Sequence, residues 1–160
     1  MHLSSTIANH VRTVYYGGNW TAVNLKDTLK DISWELAIKQ VDKHNSLVQL
    51  VYHIHYFVLA INKVFVHGVL DAHDKFSFDH PPIQSQQDWD ELLNEFWSEA
   101  NKLIGLIELL PDDIWDKTFV SEKYGTYYKN IHGLIEHTHY HLGQLQILKK
   151  SLINSPTYKS

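Results

Sequence analysis

A chain of 160 residues with 44% hydrophobic and 20% charged side chains has the balance of one globular domain with a real core, which argues against disorder. Fourteen basic against 18 acidic side chains leave a net charge of −4, and no basic run of the kind that tracks phosphates is present, so nucleic acid is not expected as a partner. With no cysteine the chain offers no disulfide, thiolate ligand or cysteine nucleophile; any metal must be held by nitrogen or oxygen, and a reducing cytoplasm is the expected location.

In chain order, the first long helix is expected from about Leu3 to Tyr16, stopped by Gly17-Gly18, a pair that favours reversal over continued helix. Met1-His2-Leu3 carries no charged leader before an apolar stretch, and the longest apolar region is interrupted by His53, His55, Asn62 and Lys63. Neither a signal peptide nor a membrane span is therefore expected. Short helices follow, with Asn24 and Ser33 as caps and with Trp34, Leu36 and Ala37 on the buried side of the second.

A second long helix begins near Asn45, read as its N-cap, and carries Leu47, Leu50, Val51, Ile54, Val58, Ile61 and Phe65 at three- and four-residue steps before ending near Gly68. From Leu70 to Ile83 the chain reads as a loop, long for a helix connection and aromatic enough to fold over something. Packing on the end of the bundle is preferred to a lid. The third long helix starts at Ser85, paired with Asp88 in a capping box, and presents Trp89, Leu92, Leu93, Phe96, Ala100, Leu103, Ile104 and Ile107 on one face before Pro111 ends it. The fourth runs from about Thr126 to Ile153, burying Ile131, Leu134, Ile135, Leu142, Leu145 and Leu148. The expected architecture is all-α, one domain over 1–160. It is an antiparallel four-helix bundle with short extra helices and a long loop between the second and third long helices.

The chemistry concentrates in Glu136-His137-Thr138-His139-Tyr140-His141. On a helix, residues four apart stack one above the other, so His137 and His141 can reach one ion while His139 points elsewhere. His141 falls within roughly 60° of the centre of the apolar stripe and His137 at its rim. A buried imidazole pair needs hydrogen bonds or a shared cation, and a catalytic metal usually takes three protein ligands. In the second long helix His53 and His55 flank the stripe on opposite sides, and helical geometry does not choose between them.

Two other metal motifs fail on spacing. Glu136-x-x-His139 matches half of a ferritin-like di-iron site, but no second such pair exists. The run from His132 to Glu136-His137 has one residue too many for the inverted zinc-protease motif, which turns the glutamate about 100° away.

The string Leu50-Val-Tyr-His53-Ile-His55-Tyr-Phe57, followed downstream by Ile135-Glu-His137-Thr-His-Tyr-His141-Leu-Gly-Gln144-Leu145, resembles the DinB-like superfamily of metal-binding helical bundles. The resemblance covers nearly the whole chain, including the first helix before Gly17-Gly18-Asn19-Trp20 and the segment Ser33-Trp34-Glu35. It implies a divalent ion, nickel or zinc, held by His53, His137 and His141. It thereby selects His53 over His55.

Three neutral imidazoles leave the ion its full charge and an open face, suited to polarising water, a thiol or a carbonyl oxygen. Relatives in that superfamily include transferases and isomerases that use a low-molecular-weight thiol, and others named as hydrolases. The resemblance thus implies a metal-dependent enzyme acting on a small-molecule substrate, and a homodimer, since relatives often pair. The alternative is a non-catalytic metal-stabilised bundle or protein-interaction module; a third reading is a hydrogen-bonded histidine cluster without metal. Gln144 is a candidate for supporting the site by fixing a ring or a water, against a plain packing or solvent position. The tryptophans and Tyr124, Tyr127, Tyr128 and Tyr140 are read as core and rim residues. Asp71, Asp74 and Asp79 are read as solvated loop carboxylates, none of them named catalytic.

Overall fold

The computed structural model describes residues 2–154. Six α-helices and no strand occur among them: α1 (Leu3–Tyr16), α2 (Leu25–Leu29), α3 (Trp34–Ile38), α4 (Leu47–His67), α5 (Gln86–Glu108) and α6 (Tyr127–Asn154). The all-α expectation is met.

Helix ends follow the local chemistry of the chain. Gly17 (φ 108°) and Gly68 (φ 70°) terminate α1 and α4 in conformations that cost a β-carbon dearly. Asn24 and Ser33 cap α2 and α3 through their side chains, as expected. For α4 the cap is Ser46 rather than Asn45. Ser46 Oγ accepts from the Gln49 amide, and Gln49 Oε1 accepts from the Ser46 amide at 2.8 Å, a reciprocal pair that Asn45 is one residue too early to make. At α5 the Ser85 hydroxyl accepts from the Asp88 amide as expected, but the Asp88 carboxylate reaches back to the amide of Gln84 instead of Ser85. Helix α1 has no side-chain cap of its own; Asp112, far along the chain, accepts from the amides of Leu3 and Ser4 at 3.0 and 2.9 Å.

The apolar stripes read from the sequence face one another around a shared core, with Trp89, Trp115, Phe96 and Tyr15 among its largest fully buried side chains. Trp20 departs from the expectation for the tryptophans, being fully exposed. Helix α4 is long and apolar enough to cross a membrane by length and composition, yet 67% of that stretch is buried among its neighbours, as befits a core helix.

Helix directions differ from a simple antiparallel arrangement. Arg12 and Tyr16 of α1 meet Glu108 and Asn101 of α5, and Phe65 and His53 of α4 meet Tyr127 and His137 of α6, so both of these pairs run antiparallel. Helices α4 and α5 instead run the same way, with His55 beside Phe96 and Asn62 bonded to Glu99. The reason is the segment between them. After Gly68 the chain returns along α4, bonding the His73 amide to Tyr56 Oη and placing His80 against Tyr52, and so delivers α5 to the end where α4 began. The loop therefore lies along a helix face, not on the bundle end.

Candidate metal centre

The antiparallel seam of α4 and α6 positions the three histidines. His137 and His141 lie one turn apart on α6, and His53 projects from α4 toward them. One ring nitrogen of each lies within 4.8 Å of the others. His53 Nε2 is 2.8 Å from His137 Nε2, which is 3.1 Å from His141 Nε2. His139 points away, toward Trp20 and His10, as its place on the helix requires. His55 faces α5, so geometry now separates the two histidines that helical spacing left equivalent.

The proton positions follow from the surroundings. Ser77, fully buried in the returning loop, has one hydroxyl proton, and its acceptors are both on Asp74: the backbone carbonyl at 2.7 Å and the carboxylate at 3.3 Å. Its oxygen is therefore free to accept, and His53 Nδ1–H donates to it across 2.8 Å. On the other side Gln144 Oε1, which can only accept, takes the proton of His141 Nδ1 at 2.7 Å. A neutral imidazole protonated at Nδ1 carries a lone pair at Nε2, so His53 and His141 both aim lone pairs at the same point.

All three rings are held neutral. Burial pushes His53 down to about 4, assisted by the neighbouring His141. Burial with both neighbours does the same for His137, also to about 4. Burial lowers His141 as well, with the Gln144 bond opposing.

His137 then faces two lone pairs with Nε2, while its Nδ1 is buried with no hydrogen-bond partner among the described residues. A hydrogen bond from His137 Nε2–H can satisfy one neighbour fully; a cation satisfies all three lone pairs at once. Two imidazole nitrogens bound at about 2.0 to 2.1 Å to one tetrahedral ion stand roughly 3.3 Å apart. The His53–His137 and His137–His141 separations are a few tenths of an ångström shorter than this, while the nitrogens of His53 and His141 lie within 4.8 Å of each other. The donor set is all nitrogen, borderline in softness, and suits zinc or nickel better than calcium or magnesium.

Aromatic packing fixes the rings. Phe78 stacks on His53 at 4.1 Å and 11°, while Phe57 sets its edge against both His53 and His137 at about 5 Å. Ser77, Phe78 and Phe57 are the parts of this site that sequence reasoning missed. The only signal for Ser77 and Phe78 was the aromatic character of the loop, and Phe57 carried none beyond its place one turn after His53 on α4. Asp74 contributes through Ser77, while Asp71 lies beside His73 on the surface.

Comparison with protein-family models, with curated proteins and with solved structures finds no match for this chain.

Proposed function

We propose that the protein is a metal-dependent enzyme of the DinB-like kind, a four-helix bundle holding one divalent ion, zinc or nickel, on His53, His137 and His141. The observation that carries the reading is the pair of outer hydrogen bonds that His53 and His141 donate to Ser77 and Gln144. They fix the tautomers that a metal needs, on two rings from distant parts of the chain. A histidine cluster that served only packing would not require both Nδ1 protons to be tied outward.

When bound, the ion supplies Lewis-acid polarisation of water, a thiol or a carbonyl oxygen. The residues of the chain do the rest. The neutral imidazoles add no charge to offset the ion, Phe57 and Phe78 restrict water around the rings, and Gln144 and Ser77 hold the ring planes. Transfer of a substrate group to or from a low-molecular-weight thiol, or hydrolysis, on a small molecule is the chemistry proposed. A cytoplasmic homodimer completes the reading.

Elemental analysis of untagged protein is the test. One divalent ion per chain is expected, lost in His53→Ala, His137→Ala and His141→Ala, together with turnover in a screen of thiols with electrophilic substrates. A stoichiometry near zero after growth in metal-replete medium would overturn it. Unfolding of the histidine variants on metal loss would point instead to the stabilising role.

A further inference from the structure

Beside the three histidines, along the seam of α4 and α6, lies a chamber of about 250 Å³. Phe57, Ile61 and Leu134 give it apolar walls, and His137 itself forms part of its lining. It is open to solvent on one side, and its volume, below the roughly 300 to 1,000 Å³ of sites for drug-sized ligands, matches a ring or a short branched chain.

Two features show why it is open and what charge it offers. Gly133 sits one turn before His137 on the same face of α6, and a β-carbon placed there would meet nothing within 4 Å. A glycine inside a helix costs on the order of 1 kcal/mol against alanine. The space above it is open, and a larger side chain there would fill the part of the chamber next to His137. Lys129, one further turn back, also lines the chamber, and its stem lies across Gly125, where a β-carbon would come within 2.9 Å of Cδ. Gly125 has φ +77°, so both its backbone and the lysine above it favour the absence of a side chain. Lys129 makes no ion pair among the described residues, and no carboxylate lines the chamber.

We infer that this chamber is the substrate-recognition pocket of the metal centre, taking a small molecule with an apolar body and one anionic group. Lys129 pairs with the anion, and Gly133 keeps the way to His137 clear. The inference rests on the metal reading for its role in catalysis, but the chamber can be tested separately.

Benzoate serves as the probe, with benzyl alcohol as the neutral counterpart and acetate as the anion without a body, titrated calorimetrically into metal-loaded and metal-stripped protein. Benzoate is expected to bind both forms and to outcompete either comparator. Lys129→Ala and Gly133→Leu should each weaken it by about tenfold or more, with metal content unchanged, while Lys129→Arg retains it. If Gly133→Leu does not fold, the Lys129 pair of variants decides alone.

Absence of saturable benzoate binding, or binding indifferent to Lys129→Ala, overturns the inference. So does binding that vanishes with the metal and ignores both variants, since that describes benzoate on the ion only. Protein that takes up no metal but binds benzoate with the same dependence on Lys129 and Gly133 would defeat the metal reading and leave the anion chamber standing.

Discussion

Gln144 Oε1 stands 2.7 Å from His141 Nδ1, three residues back along α6, and this bond sets which nitrogen of the ring faces the other two histidines. Replacing Gln144 with leucine removes the acceptor and frees the ring to adopt either tautomer. Metal affinity is expected to fall about 10- to 100-fold in chelator competition, with helicity unchanged. Gln144→Glu keeps an acceptor and should lose much less. Equal losses in both variants would show that the amide acts by packing.

Ser77 plays the matching part on the other helix, from a loop. Ser77→Ala leaves His53 Nδ1–H buried without an acceptor, a cost of about 1 to 3 kcal/mol in the metal-free protein. The same variant releases the loop from His53, so amides near residues 74–79 should exchange faster with solvent. Unchanged stability and unchanged exchange would mean that the serine bond is incidental.

The division between what the sequence disclosed and what it hid follows the range of the interactions. The helices were legible because their signals are local: stripes at three and four residues, Gly17 and Gly68 at the ends, and Asn24 and Ser33 as caps. His137 and His141 were legible for the same reason, being one turn apart on one face. The parallel course of α4 and α5 was not, because it depends on a returning segment whose contacts with Tyr52, His53 and Tyr56 have no periodic signature. The cap on α1 was equally hidden, since Asp112 comes from 108 residues beyond Ser4. The choice of His53 over His55 needed the direction of α5, which no wheel drawn on one helix contains.

Acid should destabilise the metal-free protein in a defined window. His53 and His137 are held at about 4 in the fold, mainly by burial, against an ordinary value near 6.5 in the unfolded chain. Between those values the unfolded state binds more protons, so the contribution of the neutral rings is fully present above about 6.5 and is lost as pH falls toward 4. Thermal midpoints of stripped protein are expected to drop across that range, and less steeply in His137→Gln. A profile identical in that variant would remove the rings from the account.

Asp112 titrates lower. Its carboxylate accepts from the Ser4 and Leu3 amides, which hold it down to about 2. Its support of α1 should therefore persist above the ordinary carboxylate value near 4 and disappear only below it. Asp112→Ala is expected to fray the first turn of α1 at neutral pH, read as faster amide exchange at residues 3–6. Protection equal to that of the native protein would show that the cap is dispensable.

His55 offers the sharpest contrast with His53, two residues away. It is 3% exposed, packs against Phe96, and its Nδ1 has no partner among the described residues. Burial lowers its pKa while Glu95 and Glu99 act in the opposite sense, so it resides in the core as a neutral ring with an unmet polar atom. Leucine has a similar volume and no such atom, and replacing a buried unsatisfied group by an apolar one is neutral or stabilising. His55→Leu should keep the full metal complement and a stability within about 1 kcal/mol of native or above it, while His53→Leu loses the ion. Metal analysis of the two purified variants, side by side with their urea midpoints, makes the comparison. Loss of metal from His55→Leu with retention in His53→Leu would reverse the assignment of the third ligand.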